Sequence, residues 1–109
     1  MLMLDEYQRQ AGSTDLMQKT DSSEWYYVMG LCGEAGEVAE LVKKRRRNLD
    51  NGKPVDEEEF GHQMLLELGD ALWYLAREAA VLGITLEEVA QANLEKLAAR
   101  KREGTVSNR

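Results

Sequence analysis

Apolar residues recur at helical spacing along most of the chain, and two long stretches show this pattern best. At about 100° per residue, one stripe gathers around Glu34 and contains Tyr27, Leu31, Val38, Leu41 and Val42. A second stripe gathers around Glu67 and contains Phe60, Met64, Ala71, Tyr74 and Leu82. No segment sustains the alternation of apolar and polar residues that marks a strand. The pattern predicts an all-α protein.

Start and stop signals divide the chain into four helices. We expect them at about residues 2–11, from 22 or 23 to about 47, from 56 or 57 to about 82, and from 86 to about 102. The candidate N-caps are Asp21, Ser22 and Ser23 for the second helix and Thr85, in a capping box with Glu88, for the fourth. Turn residues at 48–54 predict a loop, Gly83 suits a C-cap, and residues 103–109 are expected to fray.

The composition describes one small, acidic domain. The chain has 109 residues, 43% of them apolar, a formal net charge of −6 and a single cysteine. The negative charge argues against a nucleic-acid partner, and no apolar run is long enough to span a membrane. Without a signal peptide or a disulfide pair, we expect a cytoplasmic protein with one domain over residues 1–109.

The two central helices are each close to 40 Å long at about 1.5 Å per residue. Their broad apolar stripes exceed what one small globule can cover. We therefore expect an antiparallel helical bundle that is completed by oligomerisation with further copies of the chain.

Acidic residues interrupt both stripes at a spacing of three. Glu34 with Glu37 and Glu67 with Asp70 form two pairs of neighbouring carboxylates on the apolar sides of their helices. Carboxylates that face a core must be neutralised, paired or bound to a cation, and four together repel one another unless a metal ion lies among them. A single pair of this kind is usually a solvated helix face, but two pairs within apolar stripes favour a site.

Four carboxylates supply hard oxygen ligands, which suit Mg²⁺ and also Mn²⁺. A ferritin-like iron site would need Glu-x-x-His pairs, and the single histidine, His62, is offset from both acidic pairs. The pattern therefore predicts a magnesium site rather than an iron site.

Several other polar residues are candidates for contacts with a phosphate-bearing ligand. Asn93 and Lys96 lie three apart on the fourth helix, and Arg100 follows on the same side. Lys96 could equally lay its stem along the apolar edge, and Tyr74 could stack on a base or be plain core. Lys44 belongs to a basic run that either reaches a phosphate or complements the negative end of the helix dipole.

Gly30, Gly33 and Gly36 recur inside the second helix, where each costs about 1 kcal/mol relative to alanine. We interpret them as points of close approach by a neighbouring helix near the acidic site. The alternative is that they are merely tolerated.

Three motifs resemble one family. Residues 33–41 (GEAGEVAEL), 67–75 (ELGDALWYL) and 93–97 (NLEKL) are similar to those of the MazG-like nucleoside triphosphate pyrophosphohydrolases, and the likeness extends over about residues 22–102. The resemblance implies a short, single-module, all-α enzyme that works as a dimer or a dimer of dimers. It also implies Mg²⁺ ligands at Glu34, Glu37, Glu67 and Asp70, and nucleotide contacts at Asn93 and Lys96.

The resemblance further implies a reaction. The four carboxylates would hold Mg²⁺, which grips the triphosphate of a nucleotide and lowers the pKa of a bound water. That water would attack the α-phosphorus with Glu34 or Glu37 as its base, and pyrophosphate would leave with help from Lys96. The expected role is to clear non-standard or surplus nucleotides. The alternative is a non-catalytic helical oligomer that serves as a nucleotide sensor or adaptor.

Overall fold

A computed structural model describes residues 1–16 and 23–104 of the chain. The described part is helical, without strands, which confirms the prediction of an all-α protein. The four helices are α1 (Leu4–Ser13), α2 (Ser23–Asp50), α3 (Glu57–Val81) and α4 (Leu86–Glu103). None of the described helices is both long and apolar enough to cross a lipid bilayer.

The predicted start of α3 and the predicted N-cap of α4 are confirmed. The Asp56 side chain accepts a hydrogen bond from the Glu59 amide at 3.0 Å, and the Thr85 hydroxyl accepts one from the Glu88 amide at 3.0 Å. Gly83 has φ of +73°, the left-handed conformation that follows many helix ends. Ser23 begins α2, while the other cap candidates, Asp21 and Ser22, lie outside the described residues, as does the tail from residue 105.

The predicted end of α2 was wrong by about one turn. The helix continues through Asn48 to Asp50, where Arg46 and Asp50 form an ion pair at 3.0 Å along the helix surface. Gly52, with φ of +66°, supplies the left-handed residue only after that turn. The added turn therefore carries an ion pair between residues four apart, although its composition is typical of a loop.

The buried core lies where α1 and α4 meet the second half of α3. Its members are Ala11, Ala76, Ala79 and Leu86, and four partly buried residues pack against them: Tyr7, Leu72, Trp73 and Ile84. Gln8 fixes this junction, because its amide donates to the Ile84 carbonyl at 3.0 Å and accepts from the Leu86 amide at 2.9 Å.

The long helix α2 packs along α3, and α4 packs on α1 and α3; within the described residues α4 does not contact α2. The first turns of α2 meet the last turns of α3, where Tyr27 faces Trp73 with 6.1 Å between ring centroids. At the other end Arg45 of α2 donates to Glu57 of α3 at 2.8 Å. This pairing places the middles of the two helices, which carry the acidic motifs, side by side.

Much apolar surface stays uncovered. Leu65, Leu66 and Leu68 of α3 are each more than half exposed, as is Leu94 of α4. The radius of gyration is 17.1 Å, whereas a compact domain of this length has about 13 Å. A single copy therefore leaves large parts of its helices without a packing partner.

Candidate functional site

Three of the four predicted ligands meet between α2 and α3. Glu34, Glu67 and Asp70 each offer a carboxylate oxygen, and these oxygens lie within 4.8 Å of one another. Glu34 and Glu67 are half-buried and Asp70 is exposed. The spacing of three places Glu67 and Asp70 on one face of α3, opposite Glu34.

The electrostatics of this acidic cluster are unbalanced. None of the ion pairs formed among the described residues involves Glu34, Glu67 or Asp70. Burial raises the pKa of Glu34 to about 7, with further contributions from a hydrogen bond with Glu67 and from the charges of nearby acids. The Oε2 atom of Glu34 is buried and has no hydrogen-bond partner within the described part of the chain. The donor set fits a divalent cation that prefers hard oxygen ligands.

A cleft of about 350 Å³ opens beside the acidic cluster. Its walls are formed by Glu34 and Asp70, by the aromatic residues Trp73 and Tyr74 of α3, and by Thr14 at the end of α1. The indole Nε1 of Trp73 donates to the Thr14 hydroxyl at 2.9 Å, so α1 is tied to the edge of the cleft. The cleft thus joins carboxylates to flat aromatic surfaces.

Tyr74 occupies its place because Gly30 has no side chain. A Cβ atom at Gly30 would lie 2.2 Å from Cε1 of the Tyr74 ring. Burial raises the pKa of Tyr74, and a hydrogen bond with Tyr26 adds to the shift. The expected close approach is confirmed at this glycine. Within this chain no such approach exists at Gly33 and Gly36, since a Cβ atom at either would meet nothing within 4 Å, and close approach by another copy there stays a prediction.

Glu37 lies one turn beyond Glu34 on α2. It is exposed and does not belong to the group of three carboxylates. Its charge nevertheless contributes to the raised pKa of Glu34. Its role as a fourth ligand stays a prediction.

The basic and amide residues predicted to contact substrate lie in other places. Asn93 and Lys96 line a cleft of about 560 Å³ on α4, together with Ile84, Glu88, Val89 and Ala92. Lys44 lines a small cleft near the loop that follows α2, and Arg100 is partly buried in the last turn of α4. Within one chain, these four residues do not line the cleft of the acidic cluster.

Sequence reasoning missed the two other walls of the acidic cleft, Thr14 and Trp73, and a buried group beside them. Arg77 of α3 donates to Asp15 at 2.6 Å, and Tyr27 of α2 donates to the same carboxylate oxygen. Arg77 follows Asp70 by seven residues, or two helical turns, so the helical period places it on the same face of α3. That spacing was the available signal.

Comparisons with known proteins identify the family of this chain. The family model for the MazG nucleotide pyrophosphohydrolase domain matches residues 23–105. The chain is 44% identical over 81 residues to the Gene 37 protein of Mycobacterium phage L5, an alignment that covers 74% of this chain and 68% of the phage protein. The name of the phage protein states no activity, and no solved structure matches the chain. The chain belongs to the MazG nucleotide pyrophosphohydrolase domain family.

Proposed function

We propose that this chain hydrolyses nucleoside triphosphates to the monophosphate and pyrophosphate, and that it depends on Mg²⁺. The observation that supports this most directly is the acidic cluster, whose three oxygens within 4.8 Å lack a basic partner among the described residues. Such a cluster is costly when unneutralised, so its presence favours a cation-dependent reaction over a purely structural role.

Glu34, Glu67 and Asp70 would hold the cation, and Glu37 would join them. When bound, Mg²⁺ neutralises charge on phosphate oxygens and lowers the pKa of water, and Mn²⁺ can supply the same chemistry.

The reaction forms a bond between a water oxygen and the α-phosphorus. It breaks the bond between that phosphorus and the oxygen that bridges the α- and β-phosphorus atoms. Glu34 or Glu37 accepts the proton of the attacking water. The departing pyrophosphate carries the electron pair of the broken bond, and Lys96 is the proposed group that balances its charge. Tyr74, which shares the cleft with Glu34 and Asp70, offers a flat surface for the base or sugar.

The positions of Asn93 and Lys96 suggest what the proposed oligomer does: it brings these residues of one copy close to the acidic cleft of another. In one chain these residues line a cleft on α4 that lacks the acidic cluster. Beside them, Leu94 is 61% exposed. We infer that an antiparallel bundle of at least two copies covers this apolar surface and brings α4, with Arg100, near an acidic cleft. Sedimentation of the folded protein at micromolar concentration as a monomer would contradict this arrangement.

The test is a pyrophosphate-release assay over a panel of canonical and modified nucleoside triphosphates, with Mg²⁺, with Mn²⁺ and with a chelator. We expect cation-dependent release of equal amounts of monophosphate and pyrophosphate. Glu67→Gln should abolish release, whereas the matched variant Glu58→Gln, an exposed acid in the first turn of the same helix, should retain it.

The alternative, a nucleotide sensor or adaptor without catalysis, gives a different result in the same assay. Such a protein would bind a nucleotide in a titration and release no pyrophosphate from any member of the panel. That outcome would overturn the proposed function.

A further inference from the structure

A buried polar cluster lies next to the acidic cleft and joins three separate parts of the chain. Asp15 follows α1, Tyr27 belongs to α2 and Arg77 belongs to α3. The Asp15 side chain is 1% exposed and that of Arg77 is 11% exposed. A single carboxylate oxygen of Asp15 accepts from Nε of Arg77 at 2.6 Å and from the hydroxyl of Tyr27.

The surrounding residues shape this clamp, by which we mean Asp15, Tyr27 and Arg77. The guanidinium carbon of Arg77 lies 5.6 Å from the centroid of the Tyr27 ring, within the range of a cation–π contact. A Cβ atom at Gly12 would come within 2.9 Å of Arg77 Nη1, so the end of α1 is shaped to admit the guanidinium. Three elements thus converge on one carboxylate with directional bonds.

The clamp residue Asp15 directly follows Thr14, which forms part of the wall of the cleft. Thr14, which immediately precedes Asp15, lines the cleft and accepts from Trp73 at 2.9 Å. Trp73 lies one helical turn before Arg77 on α3. The two side chains therefore donate hydrogen bonds to consecutive residues, Trp73 to Thr14 and Arg77 to Asp15. Fixing Asp15 therefore fixes Thr14, and with it the position of the indole beside Asp70.

We propose that the Asp15–Tyr27–Arg77 clamp is a positioning element of the acidic site, which holds the end of α1 as the outer wall of the substrate cleft. The proposal rests on the proposed function for its kinetic consequence. The clamp residues touch neither the carboxylates of the acidic cluster nor, in our scheme, the reacting phosphate. Their loss should weaken substrate binding and leave the binding of the cation and the chemical step nearly intact.

The experiment measures kcat and KM separately with the nucleoside triphosphate that the wild-type protein turns over fastest. Asp15→Asn should raise KM about tenfold, the factor that corresponds to a weakened hydrogen bond to a charged group, with kcat changed about twofold or less. Tyr27→Phe keeps the ring and removes one donor, so it should raise KM by a smaller factor. Glu57→Gln, which breaks the exposed Arg45–Glu57 pair at the far end of α2 and α3, is the matched control and should leave KM unchanged.

A second readout needs no turnover. The chain has two tryptophans, and Trp25 is 68% exposed, so Trp25→Phe leaves Trp73 as the reporter at little structural cost. In that background, Asp15→Asn and Tyr27→Phe should increase the quenching of Trp73 fluorescence by acrylamide, because the indole loses its fixed partner Thr14. Mn²⁺ affinity, measured by calorimetry without nucleotide, should not change.

The outcomes separate this inference from the proposed function. Absence of turnover by the wild-type protein would refute the function, and the clamp would then be judged by Trp73 quenching. If Asp15→Asn does not fold, Tyr27→Phe decides. A folded clamp variant with wild-type KM and wild-type quenching of Trp73 would overturn the inference. A loss of Mn²⁺ affinity as large as the rise in KM would overturn it as well.

Discussion

Asp15 and the acidic cluster of Glu34, Glu67 and Asp70 both lie against α2 and α3, but their negative charges are balanced in opposite ways. Asp15 is almost fully buried, and it receives a guanidinium and a phenol hydroxyl from the same chain. Glu34 is half-buried among Glu67 and Asp70, and one of its oxygens has no hydrogen-bond partner among the described residues. The first group is electrostatically closed and the second is open.

The difference separates a structural use of an acid from a functional one. A buried ion pair with good geometry is satisfied internally, and breaking it leaves an uncompensated charge. A cluster of like charges is relieved by protonation, by a cation, or by removal of one member. The same substitution of acid by amide should therefore have opposite effects on stability in the two groups, which makes the comparison testable by its sign.

The largest expected effect belongs to the open cluster and concerns activity. Glu67→Gln removes a proposed ligand, and turnover should fall at least a thousandfold, since the cation supplies several kcal/mol and each 1.4 kcal/mol is about tenfold. Without metal the variant should be at least as stable to urea as the wild-type protein, because one like charge is gone. Wild-type activity and an unchanged Mg²⁺ titration would remove this cluster from consideration.

The next effect concerns stability in the closed group. Arg77→Met leaves Asp15 buried without its guanidinium and should lower the free energy of unfolding by about 3–5 kcal/mol. The double variant Asp15→Leu with Arg77→Met removes both charges and should recover most of that loss. Urea denaturation of the two variants checks this, and a single variant as stable as wild type would show that the pair contributes no net stability.

The helical period explains which parts of this picture the sequence could supply. It predicted that Glu34 and Glu67 lie within the apolar stripes of their helices. The starts of α3 and α4 were also predicted correctly, because capping residues such as Asp56 and Thr85 act locally. The helical period also joined Tyr74 to the acids, since residues three or four apart share a helix face. Predictions of this kind depend only on residues that are close in the sequence, so they hold in the folded protein whatever the tertiary contacts are.

The contacts of α1 could not be predicted in this way. Thr14 meets Trp73 across 59 positions of the sequence, and Asp15 meets Arg77 across 62. A periodic pattern tells which face a residue occupies but not which distant residue will face it. The positions of Asn93 and Lys96 show the same limit, because the cleft that they line depends on how α4 packs.

The glycines of α2 sharpen the comparison at the level of packing. Gly30→Ala would place a methyl group into the Tyr74 ring and should lower the free energy of unfolding by about 1–3 kcal/mol, the range for overpacking. Gly33→Ala is the matched control, because its Cβ meets nothing within 4 Å in the chain and alanine favours the helix by about 1 kcal/mol. Thermal unfolding of both variants is the measurement. A destabilised Gly33→Ala would instead indicate that another copy of the chain packs against that position.

The smallest effect is the pH dependence of the metal-free protein. Because burial and the neighbouring acids raise the pKa of Glu34 from 4.5 to about 7, the folded state binds more protons than the unfolded state between these values. The Glu34 contribution to stability is therefore fully present below pH 4.5 and is lost as the pH rises through about 7. Glu34→Gln should flatten this part of the urea-stability profile.

Glu78 provides the control for that profile. Burial and a hydrogen bond with Glu24 raise its pKa as well, but it lies outside the acidic cluster. In Glu78→Gln the fall in stability up to about pH 7 should therefore persist, since Glu34 remains.

Saturating Mg²⁺ should stabilise the wild-type protein more at pH 8 than at pH 5, because the cation competes with protons for the same carboxylates. Equal stabilisation by Mg²⁺ at both pH values would mean that the cation binds elsewhere, and the contrast between the open and the closed group would then lose its functional meaning.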